Sequence, residues 1–422
     1  MLIVWACVKR GWIMRDRRLL CWTVLTLLIR TAPAAAQAAP PSDIPLSIEG
    51  ALERAATVNP TIAAARFRRE ASRAGVDVAR ERLNPEAHVE IEREEPTQAY
   101  GVAVPLELGG KRARRIAVGQ AALLTSEAEL AQVIAETRNA VRRAYFDRLI
   151  AETRLTLLDE LRALAARVRD AAQQRVDAGD APRLEVVQAD LALAQAQNEA
   201  TGSQGTVTAA RATLNALLAL PLDAPTPLAS SLDAVSPPVL TAALARARSA
   251  SAELAVLDRR LDEQRARIAL AQSLQRPDVI PEGTITRGQA EFATGWRAAV
   301  AVAIPIFTRH RAGVRLEEIT LQQVMAERDA TLARIAGEVT AAVAIAEAQR
   351  QQFLRYRDEI LPQAMVVERM AEDSYRLGQT GINAFLQALQ ASRDARLRSL
   401  QTAADLQTAL VDLERAVGAP LP

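Results

Sequence analysis

His88, Glu90, Glu92 and Glu94 occupy every second position of a short stretch, and Ala87, Val89 and Ile91 fill the places between them. A period of two is the spacing of a strand, whose successive side chains point to opposite faces. Such a strand has one acidic, water-facing side that attracts cations and one apolar side. Little else along the chain offers chemistry. The only histidines, His88 and His310, lie far apart, and no clustered set of metal-ligating residues is present. No nucleophile, base and orienting group stand at recognisable spacing, and there is no Gly-rich cofactor fingerprint, so the sequence predicts no enzyme, cofactor or resident metal. Gly109-Gly110-Lys111-Arg112 has a superficial likeness to a phosphate loop. Pro105 stands in the earlier glycine position and Arg112 replaces the required Ser/Thr, which rejects that reading.

The elements that must position the acidic strand are written twice. Val102-Ala103-Val104-Pro105-Leu106 recurs as Val302-Ala303-Ile304-Pro305-Ile306, and Arg115 recurs as Arg315. Arg175-Val176-Asp177-Ala178-Gly179 corresponds to Ser374-Tyr375-Arg376-Leu377-Gly378. A search for repeats therefore decides the architecture. Each half opens on a helical stretch, Leu46 to Leu83 and Leu240 to Leu274, ending before Pro85 or Pro277. A strand pair follows. The first returns from Gln98 to Leu106 after the turn Glu95-Pro96-Thr97, and the second spans Asp278 to Ile306 with a turn-like Thr286 to Ala290. Its alternation is weaker, and Phe292 and Trp296 suit a membrane interface.

Then comes a long helical stretch, Lys111 to Val176 and Gly313 to Leu377, with Pro362 the one strong breaker. At 1.5 Å per residue such a helix spans roughly 100 Å. Leu157, Leu161, Leu164, Val168 and Ala171 step by four and three, as a helix-packing seam does. Gly-centred turns lead into return helices, Arg183 to Leu218 and Ile382 to Val417, where Leu406, Leu410, Leu413 and Val417 repeat the seam. The domains expected are a first repeat over 39–220, a Pro-rich linker over 221–238 and a second repeat over 239–422.

Residues 1–38 read as a secretion signal: Arg15, Arg17 and Arg18, an apolar run from Leu19 to Ile29, and small residues through Ala34-Ala35-Ala36-Gln37-Ala38. A run of about 11 residues is too short for a membrane-spanning helix, which needs roughly 20. Met14, directly before the basic cluster, is an alternative start. Both cysteines, Cys7 and Cys21, lie in this segment, which excludes thiol chemistry from the mature chain. Its loss removes Lys9, Arg10, Arg15, Arg17, Arg18, Arg30 and Asp16, so the formal charge of +2 becomes about −3. No basic stripe interleaved with aromatics remains to suggest nucleic acid. The 422 residues are 50% hydrophobic but 3% aromatic, which favours helix-on-helix packing over an aromatic-filled core.

Four strands per chain cannot sit in lipid as an open sheet, because the edge N–H and C=O groups would be unsatisfied. Closure has to come from other chains. Two copies give a narrow barrel, and three give about twelve strands and a wider lumen. His88, Glu90, Glu92 and Glu94 would then line water while Val89 and Ile91 face lipid. The same alternation also fits a soluble, half-buried hairpin. Lys111, Arg112, Arg114 and Arg115, with Arg309, Arg311 and Arg315, suit contact with lipid headgroups or plain solvation.

Nearly the whole mature chain resembles the TolC-type outer-membrane efflux channel family. The likeness rests on the doubled element order and on the Gly-centred tips, which lead into Leu184-Glu185-Val186-Val187-Gln188-Ala189 and Ala384-Phe385-Leu386-Gln387-Ala388. It rests also on Pro105-Leu106-Glu107-Leu108-Gly109-Gly110-Lys111-Arg112, similar to a segment of the cobalt-zinc-cadmium (CzcC-like) branch. The resemblance implies a mainly α fold of long antiparallel helical hairpins forming an α-barrel tunnel, in a homotrimer with a 12-stranded transmembrane β-barrel. It implies an outer-membrane location with most of the chain in the periplasm, and docking by a periplasmic adaptor onto an inner-membrane RND transporter, which in that branch exports divalent cations. The adaptor-binding tips carry over onto Arg175, Val176, Asp177, Ala178, Gly179 and Asp180, and onto Arg376, Leu377, Gly378, Gln379 and Thr380. The tunnel-mouth constriction carries over onto Glu185, with Ala384 and Gln387 at the corresponding second-half places. The second half therefore departs from an acidic pattern at the mouth. As bare physical chemistry, the same glycines fit an ordinary helix-turn-helix connection and Glu185 a solvated helix face.

Two rival readings share much of this pattern. One is the same duct serving a multidrug or type I secretion exporter. The other is a periplasmic coiled-coil adaptor or structural rod, which normally has one helical hairpin between β-rich domains.

Overall fold

The computed structural model describes residues 45–93, 98–229, 232, 236–287 and 294–421. The expected secretion signal, the turn at 95–97, Glu94, Phe292 and most of the second hairpin's turn lie outside them. The described chain is mainly helical with a few antiparallel strands. In order it forms α1 (Ile48–Val58), α2 (Pro60–Arg80), β1 (Glu86–Ile91), β2 (Gln98–Ala103), α3 (Lys111–Asp177) and α4 (Arg183–Leu217). It continues with α5 (Leu240–Ala250), α6 (Ala252–Ser273), β3 (Val279–Arg287), β4 (Thr294–Val302), α7 (Arg311–Arg355), α8 (Leu361–Arg376) and α9 (Ile382–Val417).

Three features differ from the sequence-based expectation. Each opening helical stretch is two helices. Asn59 ends α1, and its side chain accepts from the N–H groups of Thr61 and Ile62, so it caps α2 with Pro60 in the first position. Ser251 breaks the second copy in the same way by accepting from the Leu254 N–H. The second long helix is interrupted: Tyr356–Ile360 is a π-helical turn whose last bond runs from the Leu361 N–H to the Tyr356 carbonyl. Pro362 follows at once, and a proline that lacks an N–H and crowds the carbonyl four residues back forces this widening. Uninterrupted, α3 reaches about 100 Å over its 67 residues.

The third difference is the sheet. The two hairpins join into one antiparallel meander of order β1-β2-β3-β4, with Tyr100 of β2 opposite Ile285 of β3. Two-residue periodicity announces a strand but not its partner far along the chain, as Tyr100 and Ile285 are.

The helices pack through the seams read from the sequence. Leu161, Leu164 and Val168 of α3 and Leu406, Leu410, Leu413 and Val417 of α9 are all buried. Ala51, Ala55, Val141, Tyr145, Leu214 and Leu218 form a core joining α1, α3 and α4. Ala243, Ala247, Val339, Ala346, Leu406 and Leu413 form its counterpart between α5, α7 and α9. Small residues at these places let long helices approach closely, which accounts for an aromatic-poor core. The connection after α4 is tied down: the Asn215 side-chain amide donates to the carbonyls of Pro221, Leu222 and Ala224, and Arg148 donates to Thr226.

Candidate channel-forming surfaces

The sheet register sorts side chains into two unlike faces. Val89, Tyr100, Ile285 and Trp296 lie opposite one another across all four strands. Pro281 pairs with Val300 on the same face, and Val279 with Val302. These apolar side chains are open rather than packed; Trp296 is 83% exposed and Ile91 79%. A contiguous outward apolar face of this kind is the reverse of a water-soluble sheet and marks contact with lipid or protein. On the other face stand Glu86, His88 and Glu90 of β1, Ala99 and Gly101 of β2, Glu282 and Thr284 of β3 and Arg297 of β4. The His88 imidazole lies across Gly101, and its Nε2 is 3.3 Å from Glu282 Oε1. Thr284 donates to the same oxygen at 3.1 Å. Glycine at 101 leaves room for the ring, which would have to swing aside from a Cβ placed there. Of the four expected lumen residues, His88 and Glu90 share this face, Glu92 lies just past the end of β1 and Glu94 is outside the described residues. Glu282 was not singled out in the sequence; its signal, Glu282 two residues from Thr284 in a strand, is weak.

At the other end of the long helices the two tips have one geometry. Asp180 N–H bonds to the Arg175 carbonyl and Gly179 N–H to Val176, and Gln379 bonds to Ser374 and Gly378 to Tyr375 in the same way. This is the Schellman ending, and it needs the left-handed φ of 82° at Gly179 and 72° at Gly378. Arg175, Val176, Asp177, Ala178, Gly179 and Asp180 thus occupy one turn and Arg376, Leu377, Gly378, Gln379 and Thr380 the other. The hairpins are fastened by a cluster of Leu164, Val168, Ala189, Tyr375, Ile382 and Phe385.

Glu185 and Gln387 are not alike. Gln387 is exposed, whereas Glu185 is 9% exposed and accepts a hydrogen bond from the Tyr375 hydroxyl at 2.9 Å. Arg175 lies 3.8 Å from the same carboxylate and 4.6 Å over the Tyr375 ring. Burial, then the bond to Glu185, pushes the Tyr375 phenol above its ordinary range. Reading one repeat at a time does not find this contact, since Glu185 and Tyr375 belong to different halves.

Among the described residues no group of three or more His, Cys, Asp or Glu side chains is placed to hold a metal ion, and no helix is long and apolar enough to cross a membrane. Residues 51–220 match the family described as outer membrane efflux protein. Over 389 residues the chain is 27% identical to the cobalt-zinc-cadmium resistance protein CzcC of Cupriavidus metallidurans, covering 89% of this chain and 90% of that protein. It is 26% identical to the nickel-cobalt-cadmium resistance protein NccC of Alcaligenes xylosoxydans xylosoxydans, covering 74% of each. The fold matches that of the outer-membrane channel OprN with a TM-score of 0.73 at 19% identity, over 88% of this chain and 90% of that one. With an open apolar sheet at one end of long helical hairpins and these likenesses in sequence and fold, the chain carries an outer membrane efflux protein match over residues 51–220 and is similar throughout to channel proteins of the outer membrane.

Proposed function

We propose that this chain is the outer-membrane duct of a tripartite exporter of divalent heavy-metal cations. Three copies would join their sheets into a 12-stranded barrel, and their helical hairpins would continue as a periplasmic tunnel. The observation that carries this is the sheet itself. Its apolar face is open, and β1 and β4 each have an edge without a partner strand among the described residues. Such edges are tolerated in a bilayer only when they pair, and β4 of one copy against β1 of the next closes a ring with no free edge. Residues 39–220 and 239–422 would act as two copies of one channel-forming unit.

The cargo reading draws on the metal-resistance relatives and on the carboxylates of Glu86, Glu90 and Glu282 on the inner face. A lumen lined with carboxylates favours cations without binding them tightly, as conduction requires. The tips would meet a periplasmic adaptor, and through it an inner-membrane RND transporter. With Glu185 taken up by Tyr375, the exposed Gln387 is the more open of the two constriction residues.

Purified from outer membranes in detergent and reconstituted in a planar bilayer, the mature chain is expected to be a trimer with steady, cation-favouring conductance. Deleting its gene should sensitise cells to divalent zinc, cobalt or cadmium. A water-soluble monomer without conductance would sink the duct, and unchanged metal tolerance with heightened drug sensitivity would transfer it to a multidrug exporter.

A further inference from the structure

A cavity of about 320 Å³ lies where the sheet gives way to the helices, lined by the polar side chains of Lys111, Arg276, Asp278 and His310 and by the apolar ones of Ile304 and Phe307. The charges in it are unequally matched. Asp278 uses both oxygens, accepting from Leu108 N–H at 3.0 Å and from Lys111 Nζ at 2.7 Å. Nothing anionic is left for Arg276, whose side chain is laid against Gly109, or for the His310 imidazole; neither side chain makes a hydrogen bond or ion pair among the described residues. A concave site with a surplus of donors and positive charge attracts an anion.

The apolar wall says which anion. Phe307 is 98% exposed and Ile304 70%, and they follow directly on the open apolar face of β4, which runs through Trp296, Val300 and Val302. The cavity therefore sits at the end of the apolar band, where hydrocarbon gives way to basic residues such as Arg309 and Arg311. An inorganic ion has no use for such a wall, whereas a lipid has an acyl chain to lay on it.

We propose that this cavity binds an anionic glycerophospholipid of the inner leaflet, with its phosphate toward Arg276 and His310 and an acyl chain along Ile304 and Phe307. The proposal rests on the barrel reading above and adds a specific lipid site to it. It is tested on the full mature chain, purified in detergent, by native mass spectrometry against phosphatidylglycerol, phosphatidylcholine of the same chains and inorganic phosphate. Conductance is measured in parallel. Phosphatidylglycerol should be retained in preference to phosphatidylcholine, and R276Q should weaken it about fivefold, as loss of one cation near a headgroup does. F307S should weaken both lipids. Equal retention of the two lipids, or a preference untouched by R276Q, overturns the site. So does binding that inorganic phosphate displaces and F307S leaves unchanged, which marks a free-phosphate pocket. A chain that conducts but shows no lipid preference loses this site alone, and one that neither conducts nor retains lipid loses the barrel reading with it.

Discussion

The Tyr375 hydroxyl donates to Glu185 across 190 residues of chain, at 2.9 Å. It joins α8 of one hairpin to α4 of the other, directly behind the tips. Phe385 stacks on the tyrosine ring at 5.4 Å between centroids, and Arg175 covers it from another side. A carboxylate near the proposed tunnel mouth is thereby held inside the wall of the protomer.

Tyr375→Phe removes the donor and leaves the packing. A buried acceptor that loses its partner costs about 1–3 kcal/mol, partly offset here by the nearby Arg175. The expected result is a lowered thermal midpoint with unchanged helix content, read by circular dichroism in detergent. A conductance rise in the same variant would mean that the contact also helps keep the hairpins together.

The same pair predicts an alkaline limit. Burial first, and then Glu185, raises the Tyr375 phenol above the usual value of about 10. The folded state therefore holds this proton more tightly than the unfolded state does. Stability from the group is fully present below the unfolded pKa and is lost as pH rises through the folded one. Denaturant midpoints of the wild type should fall above about pH 10, and the fall should be smaller in Tyr375→Phe. Equal falls in the two proteins would assign the alkaline loss to other groups.

How much of this was legible in the sequence follows from which interactions are local. The seams Leu161-Leu164-Val168 and Leu406-Leu410-Leu413-Val417, the Gly-centred tips and the alternation at His88 and Glu90 are set by neighbours a few residues away, and periodicity registers them. Asn59 and Ser251 end helices through side-chain caps that look like ordinary polar surface positions in a continuous helical pattern. Pairing of β2 with β3, His88 reaching Glu282 and Tyr375 reaching Glu185 all join the two halves, and no local pattern records such a partner. For that reason Glu185 reads in the sequence as either a constriction acid or a solvated helix-face acid, although its burial is decided by α8.

Leu413 lies fully buried in the core shared by α5, α7 and α9. Leu413→Ala is expected to cost about 2–5 kcal/mol, the transfer term plus the residual cavity. Exposed Leu184, on the opening turn of α4, gives the contrast: Leu184→Ala should leave the thermal midpoint nearly unchanged. Equal losses would mean that Leu184 is buried in the assembled protein, as an intersubunit contact is.

Gly179 and Gly378 have open space where a Cβ would stand, so any cost of substitution there is backbone strain alone. Gly179→Ala or Gly378→Ala should cost about 1–2 kcal/mol locally, and asparagine, which tolerates the left-handed region better, should cost less. Hydrogen exchange at the tip amides reads this directly. Faster exchange in alanine than in asparagine variants is the expected order; no change in either would show that the turn has another stable conformation.

Gly101 and His88 give a prediction about the sheet that depends on both residues. A methyl group at 101 meets the imidazole, whose flexible end has to swing away and release Glu282. Gly101→Ala alone should therefore destabilise the sheet by about 1 kcal/mol, the scale of one lost side-chain hydrogen-bond contact. In a His88→Ala background the ring is gone and the methyl has room, so the second substitution should cost little. Such non-additivity is the mark of two side chains competing for one space. The readout is the thermal midpoint in detergent, compared across wild type, both single variants and the double. Additive losses would mean that the ring does not lie over Gly101 in the detergent-solubilised protein and that His88 stands clear of Glu282.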